Sequence, residues 1–143
     1  MNRAELQKMA EERLKDAEAL IVAGRWEFAY YTAGYAVECA LKSCMLARMI
    51  YTAWIFQEKW DAKFCLTHEL AKLVDLAGLT DQLNSDLKAS AAATGEFAVN
   101  WTTVKEWKVM SRYEPKTQAE AKLLYAAIAD DPHGVLRWLR TYW

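Results

Sequence analysis

Two prolines and five glycines in 143 residues leave few places where a helix is forced to stop. No stretch alternates apolar and polar residues as a half-buried strand does, so a β fold is excluded. Cysteines are few and odd in number, Cys39, Cys44 and Cys65, without framework spacing. That excludes a disulfide scaffold and fits a reducing cytoplasm. No excess of one charge is present: the formal net charge of -1 gives no overall pull toward nucleic acid or anionic lipid, so any polyanion contact needs a local patch. The longest apolar region is interrupted by Glu38, Lys42 and Arg48, which excludes a membrane span. The opening MNRAELQKMAEERLKDAE is charged and amphipathic, unlike a signal peptide. Low-complexity tracts and internal repeats are also missing.

What remains is a great deal of side chain to bury. The chain is 54% hydrophobic and 13% aromatic, with seven tryptophans, and its length suits one core better than two. A single domain over residues 1–143 follows. Leu6, Met9, Ala10, Leu14, Ala17, Leu20 and Ile21 recur at spacings of three and four, which predicts an amphipathic helix over 3–23. Asn2 with Glu5 forms a capping box for it, and Gly24 ends it. A second helix starts near Arg25 or Trp26 and runs to the mid-fifties, since Gly34 alone costs only about 1 kcal/mol. The short break implies an antiparallel pair. Ala29, Ala33, Ala36, Val37, Ala40, Leu41 and Cys44 give this second helix a small-residue face for close packing.

Residues 56–66 read as a loop pinned by Trp60 and Phe64. Thr67 reads as the N-cap of THELAKLVDLAG, and Thr80 repeats that signal. The stretch from 101 to 116 is ambiguous, because Trp101, Val104, Trp107 and Met110 keep helical spacing while Pro115 stops any helix. Thr117 and Glu120 form a second capping box, and Asp131-Pro132 either kinks the chain or opens a last segment, HGVLRWLRTYW. The expected fold is all-α, an up-and-down bundle of four to five helices with two long antiparallel N-terminal helices.

Within the second helix, Tyr31, Tyr35, Glu38, Lys42 and Met45 share one column. Glu38 stands four residues before Lys42, the favourable order for an intrahelical pair. Two readings stay open: a solvated pair on a wet face, or a polar column that lines a groove or a dimer seam and holds a ligand or fixes register.

The run GRWEFAYYTAGYAVECALKSCML, then LTHELAKL, then WKVMSRYEP and a last amphipathic helix, together resemble the HEPN domain family over nearly the whole chain. The resemblance implies an all-α bundle, often homodimeric, that binds nucleotides or RNA, or accompanies a nucleotidyltransferase partner, in some cases in toxin–antitoxin systems. Ribonuclease members carry Arg, four to six residues, then His. Here the positions at that distance before His68 and His133 are Asp61 to Lys63 and Ala126 to Ile128, so that motif is absent. Arg112 is kept, followed by Tyr113 and Pro115, as in the branch thought to bind and not cut. The expectation is therefore a non-catalytic nucleotide- or RNA-binding module without cofactor or metal. A variant ribonuclease toxin and a purely structural homodimer are the alternatives.

The candidate ligand residues are Glu38, Lys42, Arg112 and Tyr113, with Tyr31, Tyr35 and His68 behind them. A guanidinium gives planar two-pronged contact with phosphate, and a tyrosine can stack on a base. Each also has a plainer role: Arg112 and Tyr113 as helix C-terminal caps, His68 as a structural residue one place after an N-cap. Cys65-x-x-His68 lacks the further ligands a zinc site needs, and the thiol reads as buried. Trp101 and Trp107 read as core, and RWLRTYW as the amphipathic end of a bundle helix.

Overall fold

The computed structural model describes residues 1–52 and 65–143, so the expected loop up to residue 64, with Trp60 and Phe64, lies outside the described residues. Seven α-helices are present among the described residues: α1 Arg3–Val22, α2 Trp26–Thr52, α3 Leu70–Leu76, α4 Thr80–Ala91, α5 Glu96–Lys105, α6 Gln118–Ala129 and α7 Val135–Leu139. A 3-10 turn at Val109–Tyr113 sits between α5 and α6. No strand occurs among the described residues, and none of their helices is long and apolar enough to cross a membrane.

The helix starts follow the local chemistry. Asn2 Oδ1 accepts from the Glu5 amide at 2.9 Å while Glu5 Oε2 accepts from the Asn2 amide at 2.9 Å, the reciprocal box that satisfies two otherwise orphaned donors. Thr117 and Glu120 do the same for α6, at 3.2 and 2.7 Å. Gly24 takes φ of 73°, a left-handed conformation that turns α1 back onto α2. Two expected caps differ. Thr67 Oγ1 accepts from the Glu69 amide at 3.2 Å, a local turn that places α3 three residues later, so His68 precedes the helix. Thr80 is the first helical residue of α4 and does not cap it.

α1 packs antiparallel on α2, and α2 is the centre of the bundle, touched by α1, α3, α6, α7 and the 3-10 turn. Its small-residue face is fully used: Ala29, Ala33, Ala36, Val37, Ala40, Leu41 and Cys44 are all buried. Opposite them stand Leu6, Ala10, Leu14 and Ala17 of α1 and Leu124, Ala127 and Ile128 of α6. Among the described residues five short helices complete the bundle where the sequence pattern suggests two or three. The 80–105 region, polar and Ala-rich, splits at Gly95, and Asp130-to-Gly134 separates α7 from α6.

The ambiguous stretch resolves into two parts. Trp101 and Val104 are core residues of α5, whereas Trp107 lies beyond that helix and reaches α2 from the following turn. An ideal Cβ on Gly34 would stand 2.2 Å from Trp107 Cδ1 and Nε1, so only glycine leaves room for the indole there. The last segment behaves as the amphipathic end of a bundle helix: Trp138 Nε1 donates to Asp86 Oδ2 at 2.7 Å, and Arg140 makes a two-pronged contact with Glu11 at 2.8 Å on each arm.

Candidate functional site

The column on α2 divides by depth. Tyr31 and Tyr35 are half-buried, their rings parallel within 5° with centroids 6.1 Å apart. Phe28, one turn earlier and exposed, lies 5.8 Å from Tyr31. With Arg13, Leu20 and Ala23 of the α1 side, these three rings line an open groove of about 670 Å³, within the size range of small-ligand sites. Arg13 on its far wall is engaged by Asp16 at 3.1 Å.

Beside Tyr31 the 3-10 turn presents Arg112 and Tyr113, both exposed. The Arg112 guanidinium carbon lies 5.9 Å from the Tyr31 ring centre and 4.8 Å from that of Tyr113, both within cation–π range. No carboxylate pairs with Arg112 among the described residues. The turn is fixed from below by buried Ser111, whose Oγ accepts from the Lys108 amide at 3.3 Å. Burial, then the neighbouring Cys39 and Glu38, push the Tyr35 phenol above its usual range, so its hydroxyl stays protonated at neutral pH.

One turn further along α2 the column goes under the surface. Glu38 is only 1% exposed, which overturns the solvated-pair reading for this residue. Its Oε1 accepts from Lys42 Nζ at 2.8 Å and from His68 Nδ1 at 2.8 Å. The two partners reach it from the surface: the side chains of Lys42 and His68 are 20% and 50% exposed. Oε2 is buried without a hydrogen-bond partner among the described residues, as is Trp107 Nε1. A carboxylate accepts only, so the proton of the His68–Glu38 bond sits on Nδ1 and Nε2 faces away. Glu38 thus cannot touch a ligand directly as a surface residue would; it holds the ring of His68 and the ammonium of Lys42 in place.

Seven candidate residues therefore form two groups: Tyr31, Tyr35, Arg112 and Tyr113 on one surface, and Glu38, Lys42 and His68 in a buried-to-surface cluster. Trp107 joins them. It is 2% exposed, packs on Gly34 and lies 6.0 Å from the Tyr31 ring. It also lines a cleft of about 420 Å³ that His68 opens into. Sequence reasoning assigns Trp107 to the core and so misses this bridging position; the available signal is Gly34 in mid-helix, a residue with a cost that packing must explain.

Of the thiols, Cys39 neighbours Tyr35 and Glu38. Burial raises Cys39 to about 11, with Glu38 adding to it, and raises Cys44 to about 12. Cys65 is half-buried, not buried as its apolar neighbours suggest.

Comparison with curated proteins and with solved structures finds no match. Comparison with protein families matches the HEPN domain over residues 4–130, a span that includes the antiparallel pair, the Glu38 cluster and the Arg112 turn. On that match, with the all-α bundle now described, the chain belongs to the HEPN domain family.

Proposed function

We propose that this protein is a non-catalytic nucleotide- or RNA-binding module, in which a base extends the Tyr31–Tyr35 stack and Arg112 meets the adjoining phosphate. The observation that carries this reading is the placement of Arg112 beside Tyr31 and Tyr113, without a carboxylate partner among the described residues, next to a ring that lines the groove. An arginine held by ring faces keeps its N–H fork free for a phosphate oxygen pair, and its orientation needs little further ordering when the ligand arrives. Tyrosine rings accept any base, since every base has a π-face. Glu38, Lys42 and His68 support the surface by fixing α2 against the segment before α3.

The same reading includes a second macromolecule. Ile50 and Tyr51 in the last turn of α2 are exposed, a surface available to a second copy of the chain or to a nucleotidyltransferase partner. Size-exclusion chromatography with light scattering distinguishes a homodimer from a monomer.

The binding test is fluorescence anisotropy of a short labelled single-stranded RNA, followed by recovery of that RNA on a gel. Stacking on one aromatic contributes about 1 to 3 kcal/mol per base, so Tyr31→Ala is expected to weaken binding by about 5- to 150-fold, and Arg112→Ala comparably. Intact RNA with these losses supports the module. Cleaved RNA from the wild type, absent in a buffer control, replaces it with a ribonuclease reading.

A further inference from the structure

We propose that the cleft between the start of α3 and the 3-10 turn is a separate anion site, built for a phosphate monoester, with Lys105 and Lys108 as its donors and the Nε2 edge of His68 as an acceptor for the phosphate hydroxyl. The cleft has a volume of about 420 Å³ and is lined by these three residues together with Trp107, Val109 and Met110. Neither Arg112 nor the tyrosines line it, and it shares no lining residue with the groove of Tyr31 and Tyr35.

The orientation of His68 is the first argument. A carboxylate that is 1% exposed is costly unless paired, and here one of its two partners is an imidazole that is half in solvent. The 2.8 Å bond at Nδ1 fixes the ring and its tautomer, and Nε2 makes no hydrogen bond among the described residues. A buried acid that steers a ring toward a cleft is an arrangement for presenting the other nitrogen.

Charge is the second. Lys105, in the last turn of α5, and Lys108, at the start of the 3-10 turn, are exposed and make no ion pair among the described residues. The one carboxylate on the lining among the described residues, Glu69, is paired with Lys72 at 2.7 Å. Glu106 lies between the lysines in sequence but not on the lining, and Lys42 is committed to Glu38. Two ammonium groups without an ion pair among the described residues more than balance a phosphate monoanion, whose hydroxyl can donate to Nε2.

Shape is the third argument. The cleft is larger than phosphate alone needs, and Val109, Met110 and the Trp107 edge supply an apolar wall for the body of the ester.

The experiment uses inorganic phosphate and phenyl phosphate as probes, titrated at neutral pH and low salt by calorimetry, with a long-range ¹H–¹⁵N spectrum of the histidine rings alongside. Phenyl phosphate is expected to bind about tenfold more tightly than inorganic phosphate, from the apolar area its ring covers. The Lys105→Gln/Lys108→Gln variant, confirmed folded by circular dichroism, is expected to weaken both by roughly a hundredfold. The His68 Nε2 resonance moves on binding while Nδ1 holds its position. Arg112→Ala leaves both affinities unchanged, so loss of the RNA reading and loss of this one are separable. Unaltered affinity in the folded lysine variant overturns the proposal, as does a still Nε2 resonance, an Arg112-dependent phosphate site, or the absence of binding by either probe at millimolar concentration.

Discussion

Glu38 and Lys42 are partners of unequal burial, so removing one is not equivalent to removing the other. Lys42→Met takes away one of two donors from a carboxylate that is 1% exposed and already has one oxygen without a partner among the described residues. Orphaning a buried charge costs about 3 to 5 kcal/mol, and the remaining His68 bond places the expected loss near the lower end, about 3 kcal/mol. Glu38→Gln does the reverse. It removes the charge from the interior and leaves Lys42 and His68, 20% and 50% exposed, where water can solvate them. The lost charged bonds then cost about 1 to 2 kcal/mol, reduced by that solvent access. The double variant should lie close to Glu38→Gln alone, well under the sum of the singles. Urea unfolding followed by circular dichroism reads all three, and the differences are large against a total stability of about 5 to 15 kcal/mol. A Lys42→Met loss below about 0.5 kcal/mol, the range of an exposed pair, would refute the reasoning, and so would a Glu38→Gln loss that exceeds it.

Other outcomes follow from the same packing. Gly34→Ala would raise helix propensity by about 1 kcal/mol in an exposed helix, but here its Cβ meets the buried Trp107 ring, so a net loss of about 3 kcal/mol is expected; a stabilised variant in the same urea assay contradicts the contact. Glu11→Gln breaks an exposed two-pronged pair with Arg140 and should cost no more than about 1 kcal/mol, far less than the Lys42 change. The raised thiols predict an alkaline weakness. Cys39 and Cys44 keep their protons in the folded chain to about 11 and 12, whereas an unfolded thiol gives its proton up near 9. The folded state therefore holds more protons above that point, and stability falls as pH rises through this window, by up to about 1.4 kcal/mol per unit for each thiol. Unfolding free energies at pH 8 and 10, compared with Cys39→Ala/Cys44→Ala, check the slope. In a thiol-titration assay at pH 8, Cys65 should react before Cys39 and Cys44, which react only on unfolding.

The parts of this fold legible in the sequence are those decided within one or two turns of chain. Both capping boxes, the turn at Gly24 and the small-residue face of α2 depend on local spacing, and each stands where the spacing places it. Thr67 is a case where two local bonding patterns compete: its hydroxyl serves the amide two residues on instead of a helix, which spacing alone does not separate. The burial of Glu38 was beyond reach for another reason. An i, i+4 pair looks the same wet or dry, and its third member, His68, comes from a segment 30 positions away. The grouping of Arg112 with Tyr31 is of the same kind, since only the bundle brings residues on α2 and the 3-10 turn together. Residue types suggested a binding chemistry; tertiary packing decided which of them share a surface.

The contact of Arg140 with Glu11 spans 129 positions, and that of the Cys44 thiol with the Leu139 carbonyl spans 95. Most helical bundles fold fast because their contacts are close in sequence. In this one the α1–α2 hairpin can form early, but a side of it stays uncovered until residues near 140 arrive. During synthesis at about 5 to 20 residues per second, that interval lasts several seconds, with the apolar faces of both long helices open to other chains. The five-residue α7 thus completes a cover that the two long helices lack when they first pair.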